Sequence, residues 1–164
     1  MEPAIQLRPI GVVRREEPRE DVKARWEELE SRIEVLEPYA HGLEGIDGFS
    51  HLIVLTYLHE VGEDARATLR VKPRGLLRFG LALEELPIVG VFACDSPVRP
   101  NPIGVSIVRL LGREGRVLRV RGLDAFDGTP VLDLKPYGPD RAVPDVAVPV
   151  WHQELAGRAG TDRV

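Results

Sequence analysis

The sequence predicts an all-β fold, and three observations carry that expectation. Glycine and proline together number 30 of the 164 residues and are spread along the whole chain, a punctuation that favours short strands over long helices. The apolar runs are brief and rich in β-branched residues, as in SHLIVLTYL at 50–58. Two such runs, 103–111 and 117–121, flank GREG, a natural hairpin connection. About seven or eight short strands at this spacing read as an antiparallel barrel or sandwich with short helical or loop insertions.

The elements follow in order. Residues 5–13 read as a first strand, ahead of the charged stretch RREEPREDVKARWEELE. Val22, Trp26, Leu29, Ile33 and Leu36 are spaced four, three, four and three apart, which permits an amphipathic helix. RIEVLE at 32–37, however, alternates like a strand. A loop or short helix through Glu30 followed by a strand reconciles the two. The run at 50–58 is expected to be central; residues 67–71 begin another strand and 87–94 form an apolar run bounded by proline. Residues 123–130 are turn-rich, 131–137 form a last strand, and the chain from Gly157 is small, polar and expected to fray.

At this length one β-domain is expected over 1–150, with a C-terminal tail over 151–164. The formal net charge of -4 argues against a strongly basic nucleic-acid module, though a local basic face is compatible with it. Arginine outnumbers lysine 19 to 3, which base composition or a hot habitat explains more simply than phosphate binding. The single cysteine, Cys94, excludes an internal disulfide and a cysteine metal cluster, and its place in VGVFAC predicts a buried, inert thiol. No apolar run is long enough to span a bilayer and no signal-peptide pattern opens the chain, so a soluble, cytoplasmic protein without membrane partners is expected.

Four segments hold polar residues that a plain β-protein does not require: EEPRED at 16–21, YLHE ending in His59 and Glu60, DSPVRPNPIG at 95–104, and LDAFDGTPVLDLKPY with Asp124, Asp127, Thr129, Asp133 and Lys135. In the third, Ser96, Arg99 and Asn101 each precede a proline and are held extended. The segment is therefore either a stiff corner or a rigid presentation of Asp95, Ser96, Arg99 and Asn101 to a ligand. The histidines (His41, His51, His59, His152) show no metal-ligand spacing, and no metal is expected. GxSxG, GxGxxG and GxxxxGK[ST] are all absent, which disfavours a serine-hydrolase elbow and the common nucleotide loops. Taken alone, DGTP at 127–130 is a good β-turn whose Gly128 admits close backbone approach.

In order, DGFSHLIVLTYLHE, FACDSPVRPNPIGVSIVRLL and GLDAFDGTPVLDLKPYGPD resemble the three blocks of the TsaA-like family, whose characterised members are TrmO-type enzymes. The likeness runs over nearly the whole chain, and the proline-constrained SPxRPNPIG block is its most specific part. The resemblance implies a small antiparallel β-barrel, a homodimer, and S-adenosylmethionine-dependent methylation of N6-threonylcarbamoyladenosine at tRNA position 37. It implies donor contacts from Pro18, Arg19 and Glu20 in the first loop, with acid where the family has amide at the last of them. Further donor contacts are implied for His59, Glu60, Asp95 and Val105, and for the turn Asp127, Gly128, Thr129 and Pro130.

Arg99 and Asn101 are expected on the substrate, Arg99 as a phosphate or donor-carboxylate contact. His59, Glu60, Asp95 and Asp127 are the candidate proton acceptors, and the sequence does not choose among them. Two departures stand out: Asp95 replaces the arginine that relatives carry before Ser-Pro, and the chain stops soon after the region that longer relatives follow with an RNA-handling domain. An acidic domain of this kind needs an arginine-rich patch to hold tRNA.

Overall fold

The computed structural model describes residues 4–161. In chain order its strands are β1 (Gly11–Arg14), β2 (Glu30–Val35), β3 (His51–Tyr57), β4 (Arg70–Val71), β5 (Val89–Gly90), β6 (Ile103–Glu114), β7 (Val117–Arg121) and β8 (Pro130–Pro136). The α-helices are α1 (Arg19–Arg25), α2 (Glu63–Arg66) and α3 (Val150–Ala159). The chain forms two compact units, one from the residues up to His59 together with Ile103–Asp140, the other from Glu60–Pro102 and the residues after Asp140.

The first unit is a closed antiparallel barrel in the order β1-β2-β7-β6-β3-β8, with β8 returning to β1. Strict alternation builds it. Along β3, Leu52, Val54 and Thr56 are buried while His51, Ile53, Leu55 and Tyr57 point outward. Val13, Ile33, Val35, Val108, Leu118, Val120 and Val131 supply the same inward face from the other strands. Each buried aliphatic side chain contributes roughly 1.5–3 kcal/mol relative to exposure. The β6–β7 hairpin turns at Gly115 and Arg116, with Gly115 at φ 59°, so strand pairing runs through most of GREG before the chain reverses.

Expectation and structure differ at several elements. The first strand is Gly11–Arg14, since residues 4–9 are exposed and pair with nothing in the sheet. The barrel has six strands, because 67–71 and 87–94 contribute only the two-residue ribbon β4–β5 of the second unit. Helix and strand readings of the second segment both hold in turn: α1 with a 3-10 turn at Trp26–Glu28, then β2.

In the second unit, Leu81 and Leu86 bury against Leu155 of α3. That contact turns part of the expected tail into a helix, which ends at Gly160 in a left-handed conformation (φ 65°). Cys94 is half-buried rather than buried. Among the described residues no helix is long and apolar enough to cross a membrane, and no three His, Cys, Asp or Glu residues are placed to hold a metal.

Candidate functional site

Strand register brings the first unit's candidate residues to one end of the barrel. Val12 of β1 faces Pro130 of β8, Thr56 of β3 faces Val131, and Thr56 also faces Gly104 of β6. The loop after β1, the turn before β8, the end of β3 with His59, and the start of β6 with Val105 therefore share one rim. A register shift in β8 between Val131 and Asp133 bends the strand just beyond the turn.

The first loop and the Asp-Gly-Thr-Pro turn are fastened to each other at three points. The Arg15 amide donates to Asp127 Oδ1 at 3.0 Å. The Gly128 amide donates to the Val13 carbonyl at 2.8 Å, which the φ of 80° at Gly128 permits. The Arg19 guanidinium lies 4.5 Å from the Phe126 ring centroid, a cation–π contact that ties α1 to the turn. Thr129 is buried beneath this joint and Asp127 is exposed above it. Pro18 immediately precedes α1 in extended conformation (ψ 150°), and Glu20 is exposed in its first turn. His59 is exposed, with its amide on the Tyr57 carbonyl, and Val105 points outward opposite Leu55.

Beneath the loop lies a group that the sequence reading did not single out. The Arg15 side chain is fully buried, and its Nη1 donates to the carbonyls of Ala125 (2.8 Å) and Leu123 (3.3 Å). Its Nε lies 3.8 Å from Glu17 Oε2. Burial pushes the guanidinium pKa below its ordinary value, against the opposing pull of Glu17, Asp124 and Asp127. The signal was periodic: Arg15 continues the inward phase of Gly11 and Val13, so it had to enter the barrel interior.

Glu60, Asp95, Arg99 and Asn101 belong to the second unit. There the Arg99 guanidinium donates to the carbonyls of Val91 (3.1 Å), Cys94 (3.2 Å) and Ser96 (3.3 Å). It clasps its own proline-rich segment and makes no ion pair with Asp95. Ser96 Oγ accepts from the Val98 amide at 3.3 Å, and Pro102 is buried, so the segment is stiff by construction. Asp95 and Asn101 are exposed.

A model of the tRNA-methyltransferase O N-terminal domain matches residues 13–141, which span the rim, the proline-rich segment and the turn. The chain belongs to this family. A "Probable S-adenosyl-L-methionine-binding protein" of Methanothermobacter thermautotrophicus is 43% identical over 139 residues, covering 83% of this chain and 92% of the relative. The tRNA (adenine(37)-N6)-methyltransferase of Escherichia coli is 37% identical over 123 residues, 70% of this chain and 48% of that enzyme.

Among solved structures, TrmO from Pseudomonas aeruginosa aligns with TM-score 0.62 at 34% identity, covering 88% of this chain and 61% of the other. The chain thus spans between about a quarter and two thirds of the TrmO-type enzymes it matches. A cavity of about 490 Å³ opens at the opposite end of the barrel, lined by Ile10, Tyr39, Phe49, Leu134 and their neighbours. None of the family-implied residues lines it.

Proposed function

We propose that this member of the TrmO family is an S-adenosylmethionine-dependent methyltransferase acting on N6 of threonylcarbamoyladenosine at tRNA position 37. The supporting observation is the joint between the first loop and the Asp-Gly-Thr-Pro turn, which preorganises a ligand-facing rim inside the family-matched region. Relatives are named for S-adenosylmethionine binding and for adenine-37 methylation, and the rim's chemistry fits that donor.

An amino-acid zwitterion and a ribose need carboxylate acceptors and close backbone groups, and no metal. Asp127, held by one oxygen and exposed, is the acceptor, while Gly128 lets main chain approach. Glu20 adds a second exposed carboxylate on α1, and Pro18 and Arg19 fix where it begins.

The donor supplies an electrophilic methyl group on a sulfonium centre. The chain's part is to hold that carbon and the adenine N6 in line about 3–3.5 Å apart and to exclude other geometries. As the new C–N bond forms the C–S bond breaks, and N6 gives its proton to an acceptor. Of the four candidate acceptors, His59 and Asp127 stand on this rim and are the side chains that can take it there.

Calorimetric titration with S-adenosylmethionine is expected to give micromolar affinity, about -8 kcal/mol. Asp127→Asn should weaken it at least about tenfold, or 1.4 kcal/mol, with the circular dichroism spectrum unchanged. Incubation with tRNA bearing threonylcarbamoyladenosine should then add one methyl to that nucleoside by mass spectrometry. Absence of donor binding would sink the reading. Binding without tRNA methylation would favour a donor-binding barrel with another substrate, a reading supported by relatives named only for S-adenosylmethionine binding.

The same proposal includes a homodimer. Val105 and Ile107 are 65% and 54% exposed on β6, directly beside Leu55 and Ile53 of β3, an apolar stripe on the barrel's outer face. Ile107→Glu is expected to shift sedimentation from dimer to monomer; a wild-type chain that sediments as a monomer would refute the stripe as an interface.

A further inference from the structure

Around the barrel from that stripe, over β6, β7, β2 and β1, the register stacks arginines in rows. Arg14 of β1 faces Arg32 of β2, and Arg32 faces Arg119 of β7. In the adjacent outward row Arg121 of β7 lies between Glu30 of β2 and Arg109 of β6. Their inward neighbours Val13, Ile33, Leu118, Val120 and Val108 fill the core, so these guanidinium groups point to solvent. Like charges directly opposite across strands destabilise a sheet, and this flank contains three such pairs.

The acidic complement is short. Glu34 pairs with Arg14 (3.2 Å), Glu16 with Arg32 (3.7 Å), and Glu30 serves both Arg121 (2.8 Å) and Arg119 (4.0 Å). Arg109 has no ion pair among the described residues. Five arginines against three glutamates leave this flank positive on a chain of net charge -4. The paired arginine side chains remain 44–58% exposed, and exposed pairs of this kind are worth only about 0–1 kcal/mol. A phosphate can displace a carboxylate from them, and the arginine fork grips it bidentately. The band also adjoins the candidate site: Arg14 precedes Arg15, whose amide holds Asp127, and the partner of Arg32 is Glu16 of the first loop.

We infer that this arginine-banded flank of β1, β2, β7 and β6 is the surface along which an RNA phosphate backbone lies while a nucleoside is presented at the rim. The inference rests on the RNA substrate of the preceding section and names where that RNA is held. Its signature is electrostatic: each lost phosphate contact lowers the slope of log Kobs against log[salt] by about 0.7–0.9.

The probe is fluorescently labelled tRNA transcript, titrated with the full chain over a KCl series. The Arg109→Ala, Arg119→Ala, Arg121→Ala triple variant is expected to bind at least about tenfold more weakly at 100 mM KCl and to lose about two units of slope. S-adenosylmethionine affinity and the thermal midpoint should stay near wild type, which separates a lost surface from a lost fold.

A triple variant with wild-type affinity and slope overturns the surface and leaves the methyltransferase reading standing. A wild-type chain that binds S-adenosylmethionine but no tRNA overturns both the RNA substrate and the surface. Poly-glutamate binding as tightly as tRNA, and losing affinity equally in the triple variant, overturns RNA in favour of an acidic polypeptide.

Discussion

Arg15→Met is expected to lower the unfolding free energy by about 3 kcal/mol in urea titrations, the largest effect of any single polar substitution in the first unit. Methionine refills much of the volume but donates to neither Leu123 nor Ala125, and leaves both carbonyls beside a side chain that is fully buried in the wild type. Each unsatisfied buried group costs roughly 1–3 kcal/mol. The remaining charge on Glu17 loses its only ion-pair partner among the described residues. Glu17 is 29% exposed, so water repays part of that loss and the effect falls at the low end for a broken buried pair.

The double variant Arg15→Met, Glu17→Gln should recover at least about 1 kcal/mol of the loss, the coupling expected of groups in contact. Donor affinity should fall with Arg15→Met because the side-chain bonds to Leu123 and Ala125 anchor the backbone whose amide holds Asp127. Stability within 0.5 kcal/mol of wild type would show the cluster to be an incidental packing arrangement.

Gly11→Ala is the second large effect, about 2–3 kcal/mol of destabilisation by the usual scale of overpacking. An added Cβ would sit 2.7 Å from the Glu34 carbonyl oxygen and 3.3 Å from the Val35 Cα, both main-chain atoms. Neither side can yield easily, since Gly11 pairs with Val35 on one flank and Val131 on the other within a closed ring. Gly112→Ala is the control: it lies in β6 at the register shift, and a Cβ there meets nothing within 4 Å. Equal melting temperatures for the two variants would contradict the steric account.

The strands were legible where burial alternates. SHLIVLTYL reads directly as β3 because its side chains divide between core and outer face, and the hairpin of β6 and β7 follows from its turn. Residues 87–94 misled for a physical reason: only Val91 of the run is buried while Ile88 and Phe92 stand exposed, so the run lacks an inward face that would pair it into a sheet, and it became two residues of ribbon and a 3-10 turn. Helix α3 was hidden because Gly157 sits inside it, a residue that ordinarily weakens helices.

At the site, the Asp-Gly-Thr-Pro turn announced itself by composition, whereas the guanidinium beneath it announced itself only by phase. Arginine on the inward phase just past a strand contradicts binary patterning, and such contradictions mark functional or strained places. Arg99 was legible as important, but not that it would spend its donors on three carbonyls of its own segment. Composition reports that a guanidinium is present; only folding decides what it grips.

The meeting of β1 and β8 is the narrowest stitch in the ring. Two residue pairs join them, and one of the four residues, Pro130, has no amide hydrogen to offer. The seam is extended past its ends by hydrogen bonds from Ile10 to Val131, from Val13 to Thr129 and from Gly128 to Val13, the last two at the candidate rim. A ligand that grips the first loop and the turn together at the proposed site would therefore also hold the cylinder shut, so its binding would raise the barrel's stability.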